Sequence, residues 1–277
     1  MEKNLPDDFF AEFPPVSKEQ WLERIAKDLK GKPLEDLYWH LGTDMRVDPF
    51  GHADDQPAPP SPLSATPHKW EINEDMDAGS PAEANRQALE ALAFGAESVH
   101  FHLAESNISD QMETLLSRIY LDYISLHFSG PGVTNGPAAV LAVLAGIAGE
   151  QNVPLQHLRG TLGYDPMTGR LTDWRYLSDL LQFARETLPG FRCISLDGRS
   201  EFRGAESAAD ELAALLRRGA QYLSQGAAHG LDAGQVATQI QFSLNIGTSY
   251  FVEIAKLRAF KLLWLNVLNA WGLESTY

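Results

Sequence analysis

Two histidines alternate with apolar residues in Ser98-Val99-His100-Phe101-His102, and a third follows in Ser125-Leu126-His127-Phe128-Ser129. Side chains in a strand repeat every second residue, so His100 and His102 share one face and His127 takes the matching face of the next strand. Imidazoles placed this way have two uses. They can ligate zinc and activate water, the chemistry of a metal-dependent hydrolase built on His100 and His102. They can also fill a polar interior, hydrogen-bonded to Ser125, Ser129 and one another. The second use is the expected one and no metal is assigned, because such a site needs ligands from later strands and residues 193–197 offer only Asp197. Asp165, Asp197 and Asn245 fall at the carboxyl ends of strands, where barrels place their chemistry, or else each caps its following turn. Arg199, Glu201 and Arg203 follow the fourth strand, where an arginine can hold a phosphate or carboxylate; a solvated charged loop is the plainer reading. SGPGVTNG at 129–136 leads into a helix whose amides can hold phosphate. Its glycines match neither the dinucleotide nor the Walker spacing, so a tight turn is expected.

These residues need elements to carry them. Period-2 runs predict strands at 98–104, 124–129, 160–165, 193–197 and 239–247. Helices fill the gaps: one capped by Ser80 with Pro81 behind it and ending at Gly95, one opened by Pro137, and amphipathic segments at 173–187 and 207–228. Gly219 lowers the helicity of the last of these. Strands alternating with helices of this length imply parallel βαβ units. In an ordinary parallel sheet both faces are covered and strands read as continuous apolar runs, yet here one face of every strand is polar or small. The arrangement that reconciles the two is an α/β fold of the TIM type, a β/α barrel with helices over the apolar face. Its bore would be lined by His100, His102, His127, Ser129, Thr161, Asp165, Ser195, Asp197, Ser243 and Asn245.

Ahead of the barrel, Ser17 to Gln20 has the form of a capping box for a helix of about three turns ending near Gly31. PFGHADDQPAPPSPLSATP, at 49–67, is too rich in proline for a domain core. The expected organisation is a helical arm at 1–48, an extended connector at 49–67 and a barrel domain at 68–277. A formal charge of -15 argues against nucleic acid and anionic membrane as partners. The N-terminus carries acidic residues where a signal peptide has basic ones, and no apolar run reaches the ~18 residues of a membrane helix. A single cysteine, Cys193, fits a reducing cytoplasm.

FPPVSKEQWLERIAKDLKGKPLEDLYW, residues 192–205 ending in FRGA, ESAADELA and above all FVEIAKLRAFKLLW resemble the acyl-CoA mutase family, specifically methylmalonyl-CoA mutase, over nearly the whole chain. The resemblance implies a barrel whose bore threads the pantetheine arm of a CoA ester. It further implies adenosylcobalamin as radical source for interconverting methylmalonyl-CoA and succinyl-CoA.

The chain departs from the family's catalytic pattern. No tyrosine stands in residues 70–80, Arg199 occupies the place of a loop histidine, and the Gln-Asn-Asp step of strand three reads Leu162-Gly163-Tyr164-Asp165. The Asp-x-His-x-x-Gly signature of the cobalt ligand is absent from the sequence. The resemblance therefore runs to the non-catalytic small subunit, which pairs with and stabilises a large one, with the cobalamin bound outside this chain; a catalytic mutase fragment is the alternative. A full barrel would continue for three more βα units after the helix at 251–264. The expectation is thus about five βα units from the N-terminal part of a longer protein, with an open strand edge and, from it, self-association or disorder near the C-terminus.

Overall fold

The computed structural model describes residues 15–41, 45–55, 70–104, 107–168, 172–201 and 207–273, in two units, Met1–Ala65 and Thr66–Tyr277. In the first unit, helix α1 (Lys18–Asp28) starts at a true capping box: the Gln20 amide donates to Ser17 Oγ and the Ser17 amide to Gln20 Oε1. A short antiparallel pair follows, β1 (Trp39–Leu41) and β2 (Met45–Val47). The first residues of the proline-rich stretch fold back onto α1. The Trp21 ring lies 4.6 Å from that of Phe50, His52 Nε2 contacts the Val16 carbonyl at 3.0 Å, and Lys18 pairs with Asp55. An extended course through 49–55 is therefore replaced by local aromatic packing, while 56–67 lie outside the described residues.

The second unit alternates strand and helix. In chain order it comprises β3 (Asn73–Asp77), α2 (Pro81–Ala93), β4 (Ser98–His102), α3 (Ile108–Leu115), β5 (Ser125–Ser129), α4 (Pro131–Asn135), α5 (Pro137–Glu150) and β6 (Arg159–Leu162). Then come α6 (Trp174–Thr187), β7 (Gly190–Arg192), β8 (Ile194–Asp197), α7 (Gly198–Glu201), α8 (Ala208–Ala228), α9 (Ala233–Gln239), β9 (Ile240–Ser243) and α10 (Tyr250–Ala270). The sheet runs β3-β4-β5-β6-β7, all parallel, and β8 pairs in parallel with β9. Between β7 and β8 only Cys193 intervenes. Its amide donates to Gln239 Oε1 at 3.1 Å instead of to the ladder, and Ser195 resumes sheet-like pairing through the Tyr164 carbonyl. The result is an incomplete TIM-type fold whose barrel is not closed.

Alternation sorts the strands as their residue types demand. Val99, Phe101, Leu126, Phe128, Leu162, Ile194 and Leu196 are fully buried beneath the helices, with the Phe101 and Phe128 rings stacked 6.2 Å apart across neighbouring strands. The sheet begins one strand earlier than the sequence announces, at β3, where Met76 alone is buried.

FVEIAKLRAFKLLW lies in α10. Its buried stripe is Lys256, Phe260, Trp264 and Leu268, at four-residue spacing, with Phe242 of β9 edge-on to both Phe260 and Trp264. Gly219 of α8 admits this packing: a Cβ there would stand 2.7 Å from the Trp264 ring. Lys256 is buried among Glu211, 3.1 Å away, Glu253, 2.6 Å away, and the Asn245 carbonyl. Burial works against its charge, but the bonds to Glu253 and Glu211 win and hold the ammonium above its ordinary pKa. No helix among the described residues is long and apolar enough to cross a membrane.

Candidate functional site

The polar face of the parallel strands lines an open cavity of about 760 Å³. Register sets its wall, because Asp75, His100, His127 and Thr161 pair successively across β3, β4, β5 and β6, and Asp77, His102 and Ser129 form the next row. Strand pairing thus brings side chains distant in sequence within hydrogen-bonding reach.

His100 Nδ1 lies 2.8 Å from Asp75 Oδ1 and its Nε2 lies 2.8 Å from Ser129 Oγ. His102 Nδ1 reaches the same hydroxyl at 3.2 Å, and His127 Nδ1 sits 2.8 Å from Thr161 Oγ1. The His100 and His127 rings meet edge-on at 6.3 Å without bonding each other. Ser125 does not serve the histidines as expected; its hydroxyl accepts from Arg159 Nε at 3.0 Å. Burial, and then the neighbouring His100, push His127 down to about 4 against the opposing pull of Glu71 and Asp75. His100 is also lowered, because burial outweighs the bond to Asp75. Both rings are neutral at neutral pH. Among the described residues, no group of three His, Cys, Asp or Glu is placed to hold a metal ion.

The remaining expected residues divide. Asp165, Ser195, Asp197, Ser243 and Arg199 line the cavity. Arg199 is committed to Asp197, through Nε at 2.9 Å and a second nitrogen at 3.1 Å, and that bond leads in raising its pKa. Asn245 leaves the cavity. Its amide donates to Glu211 Oε1 at 2.6 Å and its Nδ2 to the Gly198 carbonyl at 3.3 Å, because the strand ends at Ser243 and the chain turns toward buried Glu211 and Lys256. Arg203 and the Glu201 side chain lie outside the described residues.

Several cavity groups were not foreseen, Asp75 and Arg218 chief among them. Asp75 comes from β3, whose Asn73-x-Asp75-x-Asp77 repeat has the same period as Ser98-x-His100-x-His102 and could have been read alongside it. Arg218 comes from α8 and pairs with Asp165, which also accepts from the Tyr222 hydroxyl at 2.6 Å. Its signal was a charge on the face that carries Leu215 and Tyr222, where an arginine needs a buried partner.

Residues 104–276 match a family model described as methylmalonyl-CoA mutase. The chain is 30% identical to the methylmalonyl-CoA mutase small subunit of Porphyromonas gingivalis, over 95% of this chain and 46% of that protein. Against the small subunit of Streptomyces virginiae it is 29% identical, covering 98% and 48%. The large subunit from the same organism is 27% identical, covering 92% and 41%. The chain spans about half the length of the curated relatives it matches.

Proposed function

The chain belongs to the methylmalonyl-CoA mutase family, and on that footing we propose that it is a small-subunit-like component that supports a catalytic large subunit. In this reading the partner interconverts methylmalonyl-CoA and succinyl-CoA, and this chain carries no step of that rearrangement. It works in a reducing cytoplasm, consistent with the buried Cys193 thiol, which burial pushes up to about 12.

The observation that carries the assembly role is the uncovered side of α10. Tyr250 and Phe251 are more than 70% exposed, and Ile254 and Leu257, at helical spacing from them, continue the apolar surface. An exposed run of large apolar residues beside the buried stripe of a helix supports a docking face, since such a surface gains from being covered. The non-catalytic part of the reading draws on the cavity. Adenosylcobalamin, which the family implies, lacks its expected anchor here: the Asp-x-His-x-x-Gly signature is absent from the sequence, and His100, central in the row of imidazoles, has both ring nitrogens engaged, by Asp75 and Ser129. The cofactor is therefore assigned to the partner. Asp165 and Asp197 are tied to Arg218 and Arg199, so these acids face the cavity already neutralised.

The test is co-purification with a methylmalonyl-CoA mutase large subunit, followed by titration with methylmalonyl-CoA of the chain alone and of the complex. A stable complex that turns over substrate, beside an inactive isolated chain, is expected. Replacing Phe251→Glu and Ile254→Glu together should weaken the complex on the order of 10-fold or more while leaving the fold intact. Mutase turnover by the isolated chain, or a complex indifferent to both substitutions, overturns the proposal.

A further inference from the structure

We infer that Asp75, His100 and Ser129 form an acyl-transfer site, with Ser129 as nucleophile toward a small ester or thioester lodged in the cavity. The inference goes beyond the assembly role and does not rest on it. The three residues come from adjacent strands β3, β4 and β5, and the two links between them are each 2.8 Å. A carboxylate can only accept, so the proton of the neutral ring lies on Nδ1. Nε2 is then left to accept from the Ser129 hydroxyl. Nucleophile, base and orienting carboxylate stand in the order that activates a serine. Asn73 Nδ2, 3.2 Å from the same Asp75 oxygen, steadies the carboxylate, and the lowered pKa of His100 keeps the base unprotonated.

The backbone around Ser129 agrees with this reading. Ser129 is the last residue of β5, Gly130 has φ 92°, and α4 begins at Pro131, a sharp strand–serine–helix turn. Glycine is required at 130, because a Cβ would come within 2.5 Å of the Leu103 carbonyl oxygen and 3.1 Å of the His102 ring. A backbone amide next to a nucleophilic serine can donate to the oxyanion. Gly130 lines the cavity, and its amide has no acceptor among the described residues. With the Ser129 hydrogen directed to His100, His102 Nδ1, 3.2 Å from the same Oγ, donates to one of its two lone pairs.

The step balances without a metal or redox partner. Ser129 Oγ bonds to the acyl carbon as its proton passes to His100 Nε2. The bond from acyl carbon to the departing oxygen or sulfur then breaks, and that atom takes the proton from His100. Water attacks the acyl-Ser129 ester, gives a proton to His100, and releases the carboxylic acid as the proton returns to Oγ. Asp75 is a positioning residue throughout.

The experiment treats the full chain with a biotinylated fluorophosphonate, which loses fluoride to an activated serine hydroxyl, and maps the labelled peptide by mass spectrometry. Ser129 should carry the label, and His100→Ala should slow labelling by about 100-fold or more. Asp75→Asn provides a readout that a purely structural role would not move. Asp75 raises the His100 pKa while Arg199 and His102 lower it, and His127 stands edge-on to the ring. Without Asp75, the acid limb of the rate profile should therefore shift to lower pH. In parallel, p-nitrophenyl acetate and S-acetyl-N-acetylcysteamine separate ester from thioester preference, and turnover of either that Ser129→Ala abolishes supports the site. Mapping is done on the unaltered chain, so a variant that misfolds does not obscure it. If Ser129 labels no faster than surface serines, or if neither substrate is turned over, the inference falls.

Discussion

Lys256 is the most exacting test of how α10 is held. Its ammonium is buried 3.1 Å from Glu211 and 2.6 Å from Glu253, and it donates to the Asn245 carbonyl; both Lys256 and Glu211 side chains are 4% exposed. A unit pair about 4 Å apart at an effective dielectric of about 20 attracts by about 4 kcal/mol, which roughly offsets the desolvation of two ions. The intact network therefore adds little net stability, but breaking it strands a buried carboxylate. Lys256→Met keeps the packing of the aliphatic stem and removes only the charge. It should destabilise by about 3–5 kcal/mol, which for a unit of this size lowers the melting temperature by roughly 10 °C. Glu211→Gln added to Lys256→Met leaves an amide oxygen for the Asn245 N–H and no unpaired charge on that side, so the double variant should recover a substantial part of the loss. Urea unfolding of the wild type, both single variants and the double gives the coupling energy. A loss below about 1 kcal/mol for Lys256→Met, or a double variant no better than the single, would refute the account. The pH dependence has a definite sign. Glu253 is held below its ordinary range, chiefly by the Lys256 bond, so its contribution is present above 4.5 and lost as pH falls through the folded value. Lys256 is raised, so its contribution is present below 10.5 and lost as pH rises through the folded value.

Gly219→Ala should destabilise by about 1–2 kcal/mol in thermal melts despite alanine's better helix propensity, because the added methyl meets the Trp264 ring at 2.7 Å; a gain in stability would show that the ring has room to yield. His127 at about 4 against an ordinary 6.5 means that the unfolded chain binds its proton first, so stability should decline as pH falls from 6.5 toward 4, by a limiting amount on the order of 3 kcal/mol. His127→Gln should flatten that acid limb in urea titrations, and an unchanged limb would assign the loss to other groups.

What was legible in the sequence follows from how each element is stabilised. β4 and β5 announce themselves because apolar and polar residues alternate without exception, and the row of imidazoles follows from the same period. β3 is hidden because its outward residues are acidic and it buries only Met76, so nothing in its apolar pattern marks a strand; its hydrogen bonds to β4 define it. The break at Cys193 is likewise invisible, since it depends on Gln239, 46 residues away, taking the amide. Asn245 shows the limit of extrapolating a period. The alternation of Gln241 and Ser243 invited one more cavity residue, but pairing ends at Ser243 and the buried charge of Glu211 captures the next polar group. Arg199 was legible in place but not in role, because its carboxylate partner lies only two residues back.

The two faces of the second unit pose different physical problems. On the α10 side the apolar surface exceeds what α8 and β9 cover, so burying Tyr250, Phe251 and Ile254 against another protein surface offers roughly 1.5–3 kcal/mol per side chain before the losses of association. On the cavity side the two arginines have already found carboxylates, Arg218 with Asp165 and Arg199 with Asp197, and Thr161 bonds His127. A wall whose arginines are already paired offers an incoming anion little charge to bind, which weakens its hold on such a molecule. Ser129 departs from that pattern, because its hydroxyl is polarised by His100 beside an amide with no acceptor among the described residues. A cavity that binds weakly and yet holds one activated hydroxyl should show reactivity without affinity. Labelling of Ser129 should therefore rise nearly linearly with probe concentration, and saturation at low concentration would count against this picture of the wall.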